Sequence, residues 1–409
     1  MRTRPQPGRG RRLGFLSVYL CAYLVLAPFD FVQVVPGVSL AKITVLPLAV
    51  AALVSVRRLR IKLDSLFLAF FVYFLVALVS LWLTADFDMA LVQFASIAQN
   101  LLFVLVLSSF DYSEREIRWI PRSLLLGSWI VVLVMVVSPG SVGVTLGSGR
   151  LVANLMGQQP DPNQLCEWFV FPAAVYLYRF AKNRGPLDLL ASLVFLAAGV
   201  FTGSRGGVTG ILTAMLVAAA CYAYFEKAAR RLVLLMPLSA PAFYYVYDFV
   251  VNRLPADVIA RFALGNPAVY RDEIRFVIWR ELWVTYQASP FINQFLGYGP
   301  GASVALGGRG KVAHNTLLEH LVDFGFLGLL SYLFLLGVLL RMAWRTRYPP
   351  YVASLVGICV VLLSISGVAD KPLFIISLLV ALTLKASSAA PDGAASPRVE
   401  ATSEGPDIA

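Results

Sequence analysis

Cysteine and charge are both scarce in this chain. Its four cysteines, Cys21, Cys166, Cys221 and Cys359, all lie inside apolar runs, where a free thiol behaves as a small hydrophobe. No two have metal-ligand spacing and no polar segment carries one, which excludes a zinc site and a disulfide framework. Charged residues make up only 14% of the sequence. There is no GxSxG, no HExxH and no Walker A motif, so the sequence offers neither an ATP site nor a hydride-cofactor site. Gly297, Gly299 and Gly301 form a GxGxG, but they follow no strand of a βαβ unit, so a dinucleotide reading fails. No cofactor is expected.

What the chain has instead is apolar length. Hydrophobic residues make up 59% of its 409 residues, and the mean hydropathy is +0.76, beyond the range of ordinary soluble domains. Apolar runs long enough to cross a bilayer as a helix recur from end to end. They do not alternate as the strands of a membrane barrel would. The pattern predicts an all-α polytopic membrane protein with twelve spans, at about 13–29, 38–56, 63–83, 89–110, 123–139, 163–180, 187–203, 207–225, 232–250, 315–340, 350–367 and 372–385. The Arg-rich start followed by an apolar run resembles a secretory signal, but no small-residue cleavage site follows, so an uncleaved first span is expected.

The net charge of +11 could suggest nucleic acid, but its distribution decides against that partner. Basic residues cluster in every second connection: Arg57, Arg58, Arg60 and Lys62; Arg115, Arg118 and Arg122; Lys182 and Arg184; Lys227, Arg230 and Arg231; Arg341, Arg345 and Arg347. Positive charge beside span ends is retained in the cytoplasm, so both termini are expected inside. The resulting organisation is nine spans in 1–250, a large outward loop at 251–314, three spans in 315–385, and a tail at 386–409. That tail is rich in Ala, Ser, Pro and Gly, a composition of disorder. The outward loop is itself basic, which a long translocated loop tolerates. Within it, VYRDEIRFVIWRELWVTYQ reads as an amphipathic helix. Arg271, Ile274, Arg275, Ile278 and Leu282 fall on one side, and Phe276, Trp279, Trp283 and Tyr286 form an aromatic side suited to the membrane interface.

Three outward features could carry chemistry. In TGSRGG, Arg205 stands at the outward N-terminus of a span, where its fork and exposed amides could hold a phosphate together; the bland alternative is an arginine snorkelling to the interface. Arg271 and Arg275, one helical turn apart, could share one extended anion, or could be solvated charges balanced by Asp272 and Glu273. In AHNTLLEHLVDFGFLG, His314 and Asn315 open another outward helix. The dipole there disfavours imidazolium, leaving a neutral ring able to accept a proton, although a histidine at a helix start can simply be a cap. His320 lies on the opposite side and reads as packing. Asp86-Phe87-Asp88 has the spacing of a metal site for sugar diphosphates, but short polar loops carry acids by chance, and no metal is assigned.

Four stretches in order, GRLVANLMGQQPDPNQLCEW, TGSRGG, RFVIWRELW before LGYGPGAS, and AHNTLLEHLVDFGFLG, make the chain resemble the O-antigen ligase and polymerase superfamily of bacterial surface-glycan assembly. The matching positions are Arg205, Arg275 with Trp279, Gly297 to Gly301, and His314, Asn315, Asp323 and Gly325. Asp323 stands where Glu is usual, a change that preserves charge. The resemblance implies a metal-independent, inverting glycosyltransferase of the inner membrane with its site on the periplasmic face. Its donor would be a glycan on undecaprenyl diphosphate, and its acceptor lipid A-core or another lipid-linked glycan. In that reading Arg205 and Arg275 clamp the diphosphate, with Arg271, Asn315 and Gly299 as further substrate contacts, and His314 activates the acceptor hydroxyl. Ligase activity is expected over O-antigen or exopolysaccharide polymerase activity. Transfer to protein, or transport of a lipid-linked glycan, are the remaining alternatives; a transporter would place charges near mid-membrane, whereas these crowd the outer edge.

Overall fold

The computed structural model describes residues 13–35, 38–61, 63–84, 86–142, 150–226, 274–307, 312–368 and 370–389. Among these residues fifteen α-helices run in chain order: α1 Phe15–Leu26, α2 Leu40–Ile43, α3 Val45–Val54, α4 Ser65–Ser80, α5 Phe87–Ser109, α6 Glu114–Val137, α7 Pro162–Asn183, α8 Pro186–Phe201, α9 Arg205–Phe225, α10 Ile274–Ala288, α11 Phe291–Leu296, α12 Ala302–Leu306, α13 Thr316–Arg345, α14 Pro349–Leu362 and α15 Lys371–Ala389. Helix is present within each span expected from sequence except 232–250, which lies outside the described residues, as do Arg271 and the tail beyond 389; 38–56 opens on a short strand, and the helix in 350–367 stops at Leu362.

The chain is not purely helical. Among the described residues two short antiparallel ribbons, β1 Gln33–Val35 with β2 Val38–Ser39, and β3 Pro139–Val142 with β4 Arg150–Ala153, occupy connections between helices. Segments too short to span or to nucleate a helix satisfy their backbone by pairing instead. Gln158 ties into the first ribbon, donating from its amide to Gln33 O at 2.7 Å and accepting from Gln33 N at 2.6 Å.

Among the described residues, five helices are long and apolar enough to cross a membrane: Ser65–Leu83, Phe87–Ser109, Glu114–Val137, Arg205–Phe225 and Thr316–Arg345. Only 33–44% of each of their apolar windows is buried inside the protein. The outward remainder would be costly in water and is at home in lipid, so this is a membrane protein. Four further apolar helical stretches are shorter.

Helix starts follow local chemistry. Asp64, Asp86, Asp161, Ser204 and Asn315 each accept backbone N–H bonds at the first turn of α4, α5, α7, α9 and α13, satisfying donors that a helix leaves open. Ser113 and Glu116 form a reciprocal capping box on α6. Asp86 is thereby accounted for as a cap. No group of three or more His, Cys, Asp or Glu among the described residues could hold a metal.

Glycine permits a close helix contact. A Cβ on Gly210 of α9 would lie 2.7 Å from Gly357 O of α14, and one on Gly357 would lie 2.7 Å from Gly210 O. Backbones approach this closely only where side chains are absent. The contact carries the segment after α14 to the start of α9, where a Cβ on Gly206 would collide with Ser364.

Candidate functional site

The quoted stretches converge. Ser204, the cap of α9, accepts from Gly207 N at 3.0 Å and donates to Asn163 Oδ1 of α7 at 2.7 Å. Cys166 lies 3.1 Å from Thr202 Oγ1, and its side chain fills the space a Cβ on Gly207 would need. Arg205 is the first residue of α9 and is half-buried. One of the amides expected to face an anion, that of Gly207, is already used by the cap.

The aromatic helix α10 does not present two separate faces. Ile278 and Leu282 are fully buried against Ala313 and Val322. Trp279, expected at the interface, turns inward and donates from Nε1 to Ala313 O at 2.6 Å, and Tyr286 donates to Gln294 O. Phe276 and Trp283 stay exposed. Burial on one side outcompeted a uniform aromatic stripe, because an indole N–H can satisfy a carbonyl that would otherwise be orphaned. Arg275 lies one turn before Trp279 on the same helix.

The glycine-rich turn hangs from α13. Gly297, Gly299 and Gly301 have φ of 81°, 95° and 82°, open to glycine at little cost. Tyr298 N donates to Val322 O and Gly299 N to Asp323 O. The Asp323 carboxylate accepts from Gly301 N at 2.9 Å and Ser303 N at 2.7 Å. Gly299 thus spends its amide inside the protein, and a Cβ there would meet Thr84 at 2.6 Å. Asp323 acts through reach as much as charge. Just beyond it, Gly325 (φ 69°) interrupts α13, packed so closely that a Cβ would lie 2.4 Å from the Phe295 backbone.

His314 precedes the cap rather than forming it: Asn315 Oδ1 accepts from Leu318 N at 3.1 Å. His314 has φ 52°, a left-handed conformation uncommon for a side-chain-bearing residue. Three bonds hold that turn. Trp279 grips the preceding carbonyl, His314 N donates to Ser366 Oγ at 3.1 Å, and Thr316 Oγ1 donates to Ile365 O at 2.9 Å. Ser366 in turn donates to Glu319. His320 is fully buried packing, as expected from sequence. Its Nδ1 must donate to Thr316 O, a pure acceptor, leaving Nε2 to accept from Tyr73 Oη at 2.9 Å.

His314 borders a cavity of about 590 Å³, with Glu167, Trp168, Glu319, Asp323 and Asp370 among its walls. Arg205 and Arg275 are not among the lining residues. Arg205 instead adjoins the wall segment 363–370 through Gly206 and Ser364, two residues from the Ser366 that holds His314. Burial raises the Asp370 carboxyl to about 6, against the lowering effect of its hydrogen bond with Glu167. Sequence reasoning did not single out Glu167, Glu319, Ser366 or Asp370. The available signal was an acid inside, or at the edge of, an otherwise apolar segment.

Residues 190–333 match the family model described as O-antigen ligase. The matched region runs from α8 through the first half of α13 and contains Arg205, Arg275, the glycine turn and His314. It leaves out Glu167 and the 363–372 wall. No curated protein sequence matches the chain.

Proposed function

We propose that this membrane protein, which shares residues 190–333 with the O-antigen ligase family, transfers glycan from undecaprenyl diphosphate to a lipid A-core acceptor on the periplasmic face of the inner membrane. The observation that carries the reading is His314 at a cavity wall, held in a strained backbone turn from two sides by Trp279 and Ser366. A histidine serving only to cap a helix needs no such support, because Asn315 performs that task.

In this reaction the His314 imidazole takes the proton of the acceptor hydroxyl as its oxygen attacks the anomeric carbon. The bond to the lipid diphosphate breaks, and back-side attack inverts the centre. Arg205 and Arg275 receive the charge that grows on the departing diphosphate, as fixed donors do most effectively in the transition state. The diphosphate bond already activates the sugar, so neither ATP nor a metal is required. The test is transfer by purified protein from a lipid-linked donor to lipid A-core, with and without chelator, beside the His314→Asn variant. Wild-type transfer insensitive to chelator and abolished in His314→Asn is expected; near-normal turnover of the variant would overturn the assignment. Deletion in the native host should leave bare core with polymer stranded on its carrier, whereas core bearing a single repeat would identify a polymerase.

A further inference from the structure

Among the described residues, the wall of the cavity bordered by His314 holds one Lys or Arg, Lys371, and Asp30 pairs with it. A diphosphate would meet carboxylates here, so this space suits another part of the substrates. Most of those carboxylates are already engaged. Asp161 caps α7, Asp323 holds the glycine turn, and Glu319 accepts from Ser366. Asp370 Oδ2 accepts from Leu373 N at 2.8 Å.

Glu167 is engaged at one oxygen only. It is only 3% exposed, it lines the cavity, and its Oε1 has no hydrogen-bond partner. Its other oxygen shares a hydrogen bond, and so a proton, with the carboxyl of Asp370. A carboxylate oxygen withdrawn from water with no donor is costly, and such groups ordinarily mark a missing partner. The same cavity is lined by Trp168, Gln93 and Gln164, the mixture of aromatic surface and amides suited to a hydroxylated ring. The volume falls within the range of about 300–1,000 Å³ typical of small-molecule sites.

We infer that this cavity seats a sugar of the acceptor that is neutral or bears an amine, its hydroxyl or ammonium donating to Glu167 Oε1, and that it rejects a sugar bearing carboxylate or phosphate at that position. The inference rests on the transferase reading for the word acceptor, since His314 borders the same space and must reach the attacking hydroxyl. Selection comes from charge: a donor group completes the Glu167 bond, whereas an anion adds repulsion from the single negative charge that the hydrogen-bonded Glu167–Asp370 pair carries in a low-dielectric site.

The test uses purified full-length protein in nanodiscs, titrated with chitosan disaccharide, cellobiose or digalacturonate and followed by saturation-transfer NMR. Chitosan disaccharide and cellobiose should bind, and digalacturonate should not. Glu167→Gln, nearly isosteric and uncharged, should raise the Kd for chitosan disaccharide about tenfold, the scale of one lost charge-assisted bond. Digalacturonate binding as tightly as chitosan disaccharide, or unchanged affinity in a folded Glu167→Gln protein, would overturn the inference. The three-sugar comparison on wild type decides the matter even if the variant fails to fold. In transfer kinetics Glu167→Gln should raise KM for acceptor and leave KM for donor alone; a rise for donor only would sink the acceptor assignment. Selective binding without any transfer would refute the transferase reading and leave the sugar seat standing. Transfer without selective binding would do the reverse.

Discussion

The two ends of the helix bundle handle acidic side chains differently. Away from His314, acids meet cations. Glu116 is bound by Arg58 at 2.9 Å, and Asp111 by Arg60 at 2.9 Å and Lys385 at 3.1 Å. Lys385 also donates to the carbonyls of Ser109 and Phe110 at the end of α5. Around His314, acids are met chiefly by neutral donors or by one another: Asp323 by backbone amides, Glu319 by a serine, Glu167 by Asp370. One end is a set of clamps between helices. The other keeps its acids oriented largely without cations, as a surface that must receive something from outside requires.

If that contrast is right, substitutions near His314 should change turnover, and those at the far end should change stability. The largest effect is expected at His314. His314→Ala should lower turnover about 10²–10⁴-fold, the usual worth of a positioned general base, with an unchanged melting temperature in detergent. Wild-type activity should climb from acid pH and level off, since a base works only unprotonated. A flat profile from acid to neutral pH would count against the role.

Next is Arg205. Its replacement by Ala should cost roughly 10²–10³-fold in turnover, comparable to losing one transition-state donor, and Arg205→Lys should recover little because the planar fork is lost. Full activity of Arg205→Ala at normal expression would remove it from the diphosphate clamp.

At the far end, Lys385→Met keeps the stem but removes the Asp111 pair and the carbonyl contacts. It should destabilise by roughly 2 kcal/mol, read as a lower thermal midpoint, with turnover per folded molecule unaltered. Loss of specific activity in that variant would break the division of labour between the ends. The smallest and most discriminating change is Trp279→Phe, which removes one N–H donor and little volume. It should cost about 1 kcal/mol, appearing mainly as slower turnover because the His314 turn loosens; an effect on melting alone would mark Trp279 as ordinary packing.

Much of this architecture was legible in the sequence because lipid imposes a simple rule. An apolar run long enough to span must be helical to satisfy its own backbone, and Ser, Asp and Asn at the run starts mark where the helices begin. Arg205, His314 and the glycine turn were legible for a related reason: polar or conformationally special residues at span edges stand out against an apolar background. Side-chain direction was not. The inward turn of Trp279 depends on an Ala313 carbonyl 34 residues away, and periodicity within one helix carries no trace of it. Nor could spacing reveal that Glu167 and Asp370 meet, since α7 and the start of α15 are adjacent only after folding. Asp323 is an intermediate case: its charge was apparent, whereas its reach to two backbone amides, which decides what could replace it, was not.

The ion pair between Asp30 and Lys371 joins residues 341 positions apart and helps close the cavity wall. Membrane insertion proceeds from the N-terminus, so this wall stays open until α15, the last of the described helices, joins the bundle. A nascent chain that already carries His314 still lacks the Lys371 side of the cavity. The wall is thus a late product of assembly, closed by a contact between the connection after the first described helix and the start of the last.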